Sequence, residues 1–152
     1  MSTVNHHSEQ QDSMHLGKEF SLALIMFHQT AAEKVGLNLT DYKVLGLIPS
    51  EGMTAGEIAS KTGLSTGMVT TVVDRLARKG FVFRERPTED RRKVIIKANV
   101  KKVGSELGAV FQSFGQEMGK VVANYSPEEI KVINDYIEKS MAVFKQEIEK
   151  MK

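Results

Sequence analysis

The stretch "STGMVTTVVDRLARKG" (Ser65–Gly80) sets Ser65, Thr66, Gly67, Thr70 and Thr71 ahead of Arg75 and Arg78. Soon after comes "RERPTEDRRKVII" (Arg84–Ile96), where Arg84, Arg86, Arg91, Arg92 and Asp90 crowd around Pro87. Small hydroxyl side chains allow close approach and exchange hydrogen bonds, while arginines neutralise phosphates. That combination holds a polyanion rather than turning over a substrate. No Ser-His-Asp arrangement, Walker loop or Rossmann glycine pattern accompanies it, so no catalytic residue is assigned and no enzyme is expected. Glu128 and Glu129 follow "SP" and suit a helix start better than an acid/base pair.

The bulk properties agree. The chain has 152 residues, 41% apolar and 26% charged, enough for one domain with a real core. The net charge is only +2. Its distribution is uneven: Lys61 to Lys102 holds 12 Lys/Arg against 4 Asp/Glu, and the remainder is acidic. A basic middle between acidic arms is the footprint of a polyanion-binding segment, although a solvated face gives the same count. There is no cysteine, which excludes disulfides, thiolate metal sites and a Cys nucleophile. Among His6, His7, His15 and His28 no helical metal spacing occurs, so neither metal nor cofactor is expected. The apolar run "LALIMF" (Leu22–Phe27) is too short for a bilayer. The polar start "MSTVNHHSEQQDS" lacks signal-peptide order. A cytoplasmic address without membrane attachment is expected.

The elements that position these residues follow from caps and periodicity. Residues 1–13 read as a flexible tail. Phe20, Ala23, Leu24, Phe27 and Ala31 recur at helical spacing between Leu16 and Val35. Thr40 can cap a second helix to about Ile48, closed by Pro49 and Gly52. "TAGE" (Thr54–Glu57) is a capping box for a helix ending at Thr62, with Gly63 after it. Ser65 caps the next helix, which stops at Gly80. Two helices joined by about three residues containing a glycine have helix-turn-helix spacing. Strands then begin at Phe81 and end at Lys97, Asn99 caps a long helix to about Tyr125, and "SPEE" (Ser126–Glu129) opens the last. The fold expected is mostly α with a small β-hairpin wing: a winged helix-turn-helix over 37–98, plus dimerisation helices at 14–36 and 99–152, in one compact domain overall. The terminal stripes bury too little within one subunit, which points to a second copy.

On the second helix of the pair, Met68, Val69, Val72, Val73 and Leu76 are expected inside. Ser65, Thr66, Gly67, Thr70, Thr71, Arg75 and Arg78 are expected outside, facing a major groove. The wing tip suits the minor groove, with Arg92 inserted and Arg84, Arg86 and Arg91 on the backbone. Asp90 beside phosphate makes sense only if it orients a neighbouring arginine. Val94 and Ile96 would anchor the wing. A plain surface helix and a solvated basic turn are the bland alternatives.

The segments "LTDYKVL" and "TAGEIASKTGLSTGMVTTVVDRLARKGFVFRERPTEDRRKVIIKAN", with their flanking helices, resemble the multiple-antibiotic-resistance regulator (MarR) family over nearly all the chain after residue 15. The most specific part is "VVDRLARKGFV" joined to the "DRR" wing, where Asp90 and Arg92 match the family's Asp-x-Arg. Ala98-Asn99 stands where many members have Leu-Thr, and Lys102 where a glycine is usual. The resemblance implies a homodimer, a palindromic double-stranded DNA operator, repression of transcription, and release by a small aromatic or anionic effector. Its ligand region would include Phe27, His28 and Tyr42, each equally readable as core. Two-fold symmetry places recognition helices about 34 Å apart. The rivals are an architectural DNA-binding protein of low specificity and a protein-interaction module on the same fold. The glycines Gly104, Gly108, Gly115 and Gly119 in the long helix suggest close packing or bending.

Overall fold

The computed structural model describes residues 3–88 and 93–151. Its elements are α1 (Thr3–Lys34), α2 (Leu39–Leu47), β1 (Met53–Thr54), α3 (Ala55–Thr62), α4 (Thr66–Arg78), β2 (Val82–Glu85), β3 (Ile95–Ala98), α5 (Val100–Val122) and α6 (Pro127–Lys150). They divide into two units, Met1–Ala109 and Val110–Lys152, with α5 starting in the first and ending in the second.

In the first unit, the apolar sides of α2, α3 and α4 meet the three-stranded sheet. Ile58, Val69, Leu76, Phe81 and Leu107 are among its most completely buried side chains. Truncating such a residue to Ala costs about 2–5 kcal/mol. The sheet order is β1-β3-β2, antiparallel throughout. Ile96 is opposite Met53 on one side and Arg84 on the other, so β3 is the centre of the wing's base. Ile96 is buried as expected, and Val94 is partly buried.

Several details differ from the sequence reading. Helix α1 reaches back to Thr3, through the segment expected as a tail. No proline interrupts it there, and a helix once formed propagates at little cost per residue. Asn38, not Thr40, caps α2, its side chain accepting from the Asp41 amide at 2.8 Å. Strand β1 was not anticipated. Two residues are too few for an alternating pattern, and its pairing with β3 is wholly non-local.

Gly52 explains how β1 reaches its partner. Its φ is +86°, and a Cβ there would lie 2.6 Å from Ile95 Cγ2 and 2.8 Å from the Ile96 carbonyl oxygen. Only glycine permits that approach of backbone to strand.

In the second unit, the last part of α5 and α6 form an α-helical pair of chain segments with little buried. Ser126 and Glu129 complete a capping box, with Pro127 at the first position of α6. Yet α6 has no buried residue. Ile137, Met141, Phe144 and Ile148 are exposed along it, as are Phe111, Phe114, Met118 and Val121 along α5.

Candidate nucleic-acid interface

The helix-turn-helix is built by its caps. Thr54 Oγ1 accepts from the Glu57 amide at 3.2 Å, and Glu57 Oε2 accepts from the Thr54 amide at 2.7 Å. At the other end of α3, Gly63 takes φ +72°, the left-handed conformation that turns the chain. Thr62 Oγ1 donates to the Ile58 carbonyl and accepts from the Leu64 amide, bracing that turn. Ser65 Oγ then caps α4, accepting from the Met68 amide at 3.3 Å. A cap of this kind contributes about 1 kcal/mol.

Burial orients α4. Val69, Val72, Val73 and Leu76 face the core, and Ser65, Thr66, Gly67, Thr70, Thr71 and Arg78 are exposed. Met68 corrects the expectation: it is 52% exposed. It precedes Val69 by one position, about 100° around the helix, and so falls outside the apolar arc. It adds an apolar, flexible contact to the outer face. Thr70 and Thr71 donate their hydroxyls to the Thr66 and Gly67 carbonyls, each at 3.0 Å. That leaves oxygen lone pairs and methyl groups to meet a partner. The starts of α2 and α4 open on a shared cleft of about 420 Å³, lined by Asn38, Thr40, Ser65, Gly67, Met68, Thr71, Val72 and Arg75. Both starts are capped, the Asp41 amide by Asn38 and the Met68 amide by Ser65, and the positive ends of two helix dipoles favour an anion there.

The arginines are not alike. Arg75 donates from Nε to Asp41 Oδ2 at 2.8 Å and from Nη2 to Asp41 Oδ1 at 2.5 Å. Asp41, in the first turn of α2, is 2% exposed, and the hydrogen bond to it raises the Arg75 pKa, holding the guanidinium charged. Arg84 on β2 donates to Asp74 Oδ1 on α4 at 2.6 Å. Arg78 makes a long bond to its own helix, from Nε to the Asp74 carbonyl at 3.4 Å. Arg86 is exposed just beyond β2. Asp90, Arg91 and Arg92 lie outside the described residues.

Sequence reasoning missed the acids that engage these arginines. Asp74 was in view as part of "VVDRL", but its partner is ten positions away on another element. Asp41 is 34 positions from Arg75, and no local pattern links them. Lys79 Nζ also donates to the Gly36 carbonyl, tying the end of α4 to the turn before α2. Asn99 donates from its amide to the Phe81 carbonyl at 2.7 Å and from Nδ2 to the Gly80 carbonyl at 3.0 Å, pinning the base of the hairpin.

Phe27, His28 and Tyr42 do come together. The His28 ring is 5.5 Å from Phe27, edge-on, and 5.7 Å from Tyr42. Among the described residues, His28 Nδ1 and the Tyr42 hydroxyl are buried without a hydrogen-bond partner. Burial pushes the Tyr42 pKa up. Among the described residues no group of three or more His, Asp or Glu could hold a metal, and no helix is long and apolar enough to cross a membrane.

Comparison with known proteins gives a consistent result. Residues 37–94 match the model of the MarR family. Over 98 residues the chain is 46% identical to the uncharacterized HTH-type transcriptional regulator YcgE of Bacillus subtilis, covering 63% of this chain and 64% of that protein. Over 73 residues it is 37% identical to the uncharacterized HTH-type transcriptional regulator YfiV of the same organism, covering 46% of each. The chain thus matches less than two thirds of the length of these relatives. Among solved structures it is similar to Streptococcus pneumoniae FabT in complex with DNA (TM-score 0.65, 23% identity, 95% of this chain and 99% of that one). It is also similar to a MepR mutant from a multidrug-resistant S. aureus clinical isolate (TM-score 0.68, 18% identity, 87% and 96%). With its helix-turn-helix and the first strand of its wing lying in the segment that matches the family model, the chain carries a MarR-like winged-helix region over residues 37–94.

Proposed function

We propose that this chain is a homodimeric, sequence-specific DNA-binding regulator of transcription, a repressor released from a palindromic operator by a small aromatic or anionic ligand, without catalytic activity. The observation that carries the reading is the outer face of α4. Ser65, Thr66, Gly67, Thr70 and Thr71 stand exposed over its first turns, and Arg78 follows at its end. Small residues with outward methyl groups and oxygens suit the edges of base pairs, and arginines suit phosphates. Arg84 and Arg86 extend the basic surface to the wing. On sequence grounds Arg92, inserted in the minor groove, and Arg91, on the backbone, complete it, with Asp90 orienting a neighbouring arginine. The curated relatives carry the name HTH-type transcriptional regulator, and FabT was solved with DNA.

The exposed stripes of α1, α5 and α6 support the homodimer, since apolar faces of this extent mark association surfaces. The orphaned His28 Nδ1 and Tyr42 hydroxyl, beside Phe27, support the effector site: an aromatic body with one polar group would meet both needs. The test is a fluorescence-anisotropy titration on DNA from upstream of the protein's own gene, with random DNA of equal length as competitor. Binding that resists the competitor is the result expected. Equal loss to random DNA would favour an architectural role instead. A regulator of this kind works in the cytoplasm.

A further inference from the structure

We infer that Asp41 and Arg75 form a positioning pair that sets the angle of α4 in the groove, and that Arg75 does not serve as a phosphate contact. This deepens the DNA-binding reading and rests on it. The two groups meet as a fork: Nε and Nη2 of one guanidinium on Oδ2 and Oδ1 of one carboxylate. Such bidentate geometry fixes distance and orientation together, which a single contact cannot do. Asp41 is nearly inaccessible, whereas the Arg75 side chain is 34% exposed. The carboxylate is therefore anchored in the fold and the arginine is drawn to it.

Asp41 is well held for this task. Its amide is bound by Asn38 Oδ1 at 2.8 Å, and it sits in the first turn of α2, where the helix dipole favours a negative charge. Arg75 lies in the last turn of α4, where the dipole favours a positive one. The pair thus joins the first turn of α2 to the last turn of α4, and its Arg75 also lines the cleft between these helices. Seen from a phosphate, the pair is neutral, because the carboxylate cancels the guanidinium at hydrogen-bond distance. Arg78, whose bond to its own helix is long, is left as the strong cation of this helix face.

The consequence is opposite in sign to what charge alone requires. Asp41→Asn removes a negative charge from a protein that binds a polyanion. Electrostatics alone then gives tighter binding and a steeper salt dependence. Loss of positioning gives weaker operator binding and poorer discrimination against random DNA.

The experiment measures binding of wild type, Asp41→Asn and the double variant Asp41→Leu/Arg75→Met to the duplex from upstream of the gene and to a random duplex. It does so over a series of salt concentrations, with the melting of each protein recorded beside it. The expected result is that Asp41→Asn loses operator affinity at least tenfold while random-duplex binding changes less than threefold. The apolar pair fills the same gap between the helices and should bind the operator better than Asp41→Asn, with the wild-type salt slope. Asp41→Asn binding the operator as tightly as wild type, or more tightly, would overturn the proposal. So would a folded double variant whose salt slope falls by about one charge, and this second variant decides the matter if the single one fails to fold. A wild type with no preference for the operator defeats the regulator reading alone. In that case random-duplex binding by Asp41→Asn still decides the pair: tightening by threefold or more, as charge alone requires, overturns it, and anything less upholds it.

Discussion

Arg84 on β2 and Asp74 on α4 meet at 2.6 Å, so the wing is tied to α4 by a side-chain bond as well as by the backbone turn between them. Both partners are well exposed. An exposed pair of this kind is worth about 0.2–1 kcal/mol. Arg84→Ala should therefore shift the denaturation midpoint only slightly. Its operator affinity should nevertheless fall, and the salt dependence should flatten by about one charge if Arg84 turns to a phosphate in the complex. Anisotropy titrations beside urea denaturation separate the two effects. Unchanged affinity and slope would remove Arg84 from the interface.

Gly52 should be intolerant of any side chain. Its φ of +86° is strained for other residues, and a Cβ would meet Ile95 Cγ2 at 2.6 Å and Lys97 Cγ at 2.7 Å. Strain and overpacking each cost about 1–3 kcal/mol. Gly52→Ala should destabilise by about 2–4 kcal/mol in chemical denaturation. Gly63→Ala is the control: φ is +72° there too, but nothing lies within 4 Å of its Cβ position. Its cost should stay near 1–2 kcal/mol. Equal effects at both sites would mean that β1 does not press on β3.

The two capping boxes should make stability depend on acid pH. Bonds from the Thr54 amide and hydroxyl hold the Glu57 carboxyl below its ordinary value of 4.5, and those from Ser126 do the same for Glu129. The folded state thus prefers the charged carboxylates. Their contribution is fully present above 4.5 and is lost as the pH falls through the lowered folded values. Glu57→Gln/Glu129→Gln retains a capping side chain without the charge. The gap in melting temperature between wild type and this variant should close as the pH drops below 4.5. A gap that stays constant with pH would mean the carboxylates carry no charge-dependent part of the caps.

Tyr42 offers a test of the orphaned hydroxyl. A buried polar group without a partner is unfavourable by about 1–3 kcal/mol. Tyr42→Phe should therefore leave stability unchanged or raise it by about 1 kcal/mol in denaturation. The same variant should lose response to a phenolic or carboxylate effector if the hydroxyl serves one. A clear drop in stability would show that the hydroxyl is already satisfied.

What the sequence allowed to be read depended on range. The caps of α3, α4 and α6 are local devices, with acceptor and amide three positions apart, and each was found from residue types alone. The wing's strands are legible in "FVFRE" and "RKVIIK", within which β2 and most of β3 fall. The placement of Met68 failed because a step of 100° at the margin of an apolar arc is decided by the neighbours it packs on. Asp41 with Arg75, Arg84 with Asp74 and Met53 opposite Ile96 are pairings across distant positions, where no periodicity can serve as a guide. Gly104, Gly108, Gly115 and Gly119 are expected to serve close packing or bending, yet beyond the helix's own backbone nothing among the described residues lies within 4 Å of a Cβ built at any of them. If they serve close packing, the other surface comes from outside the described chain.

That outside surface can be tested on α6. Ile130, Ile133, Ile137, Met141, Phe144 and Ile148 recur at steps of three and four, the spacing of a packed helix face, yet none is buried in the single chain. A second copy would cover them. Ile137→Glu sets a charge in the middle of this stripe without touching the core of the winged unit, whose buried residues end at Leu107. Sedimentation should then show a monomer for the variant and a dimer for wild type. Operator affinity should fall by about 100-fold or more, because two linked half-site contacts become one. Hydrogen exchange at Ile58, Val73 and Leu76 should report whether the winged unit stays folded. Full protection with lost affinity would assign the loss to the dimer. A variant that sediments as wild type would show that this face of α6 is not where the copies meet.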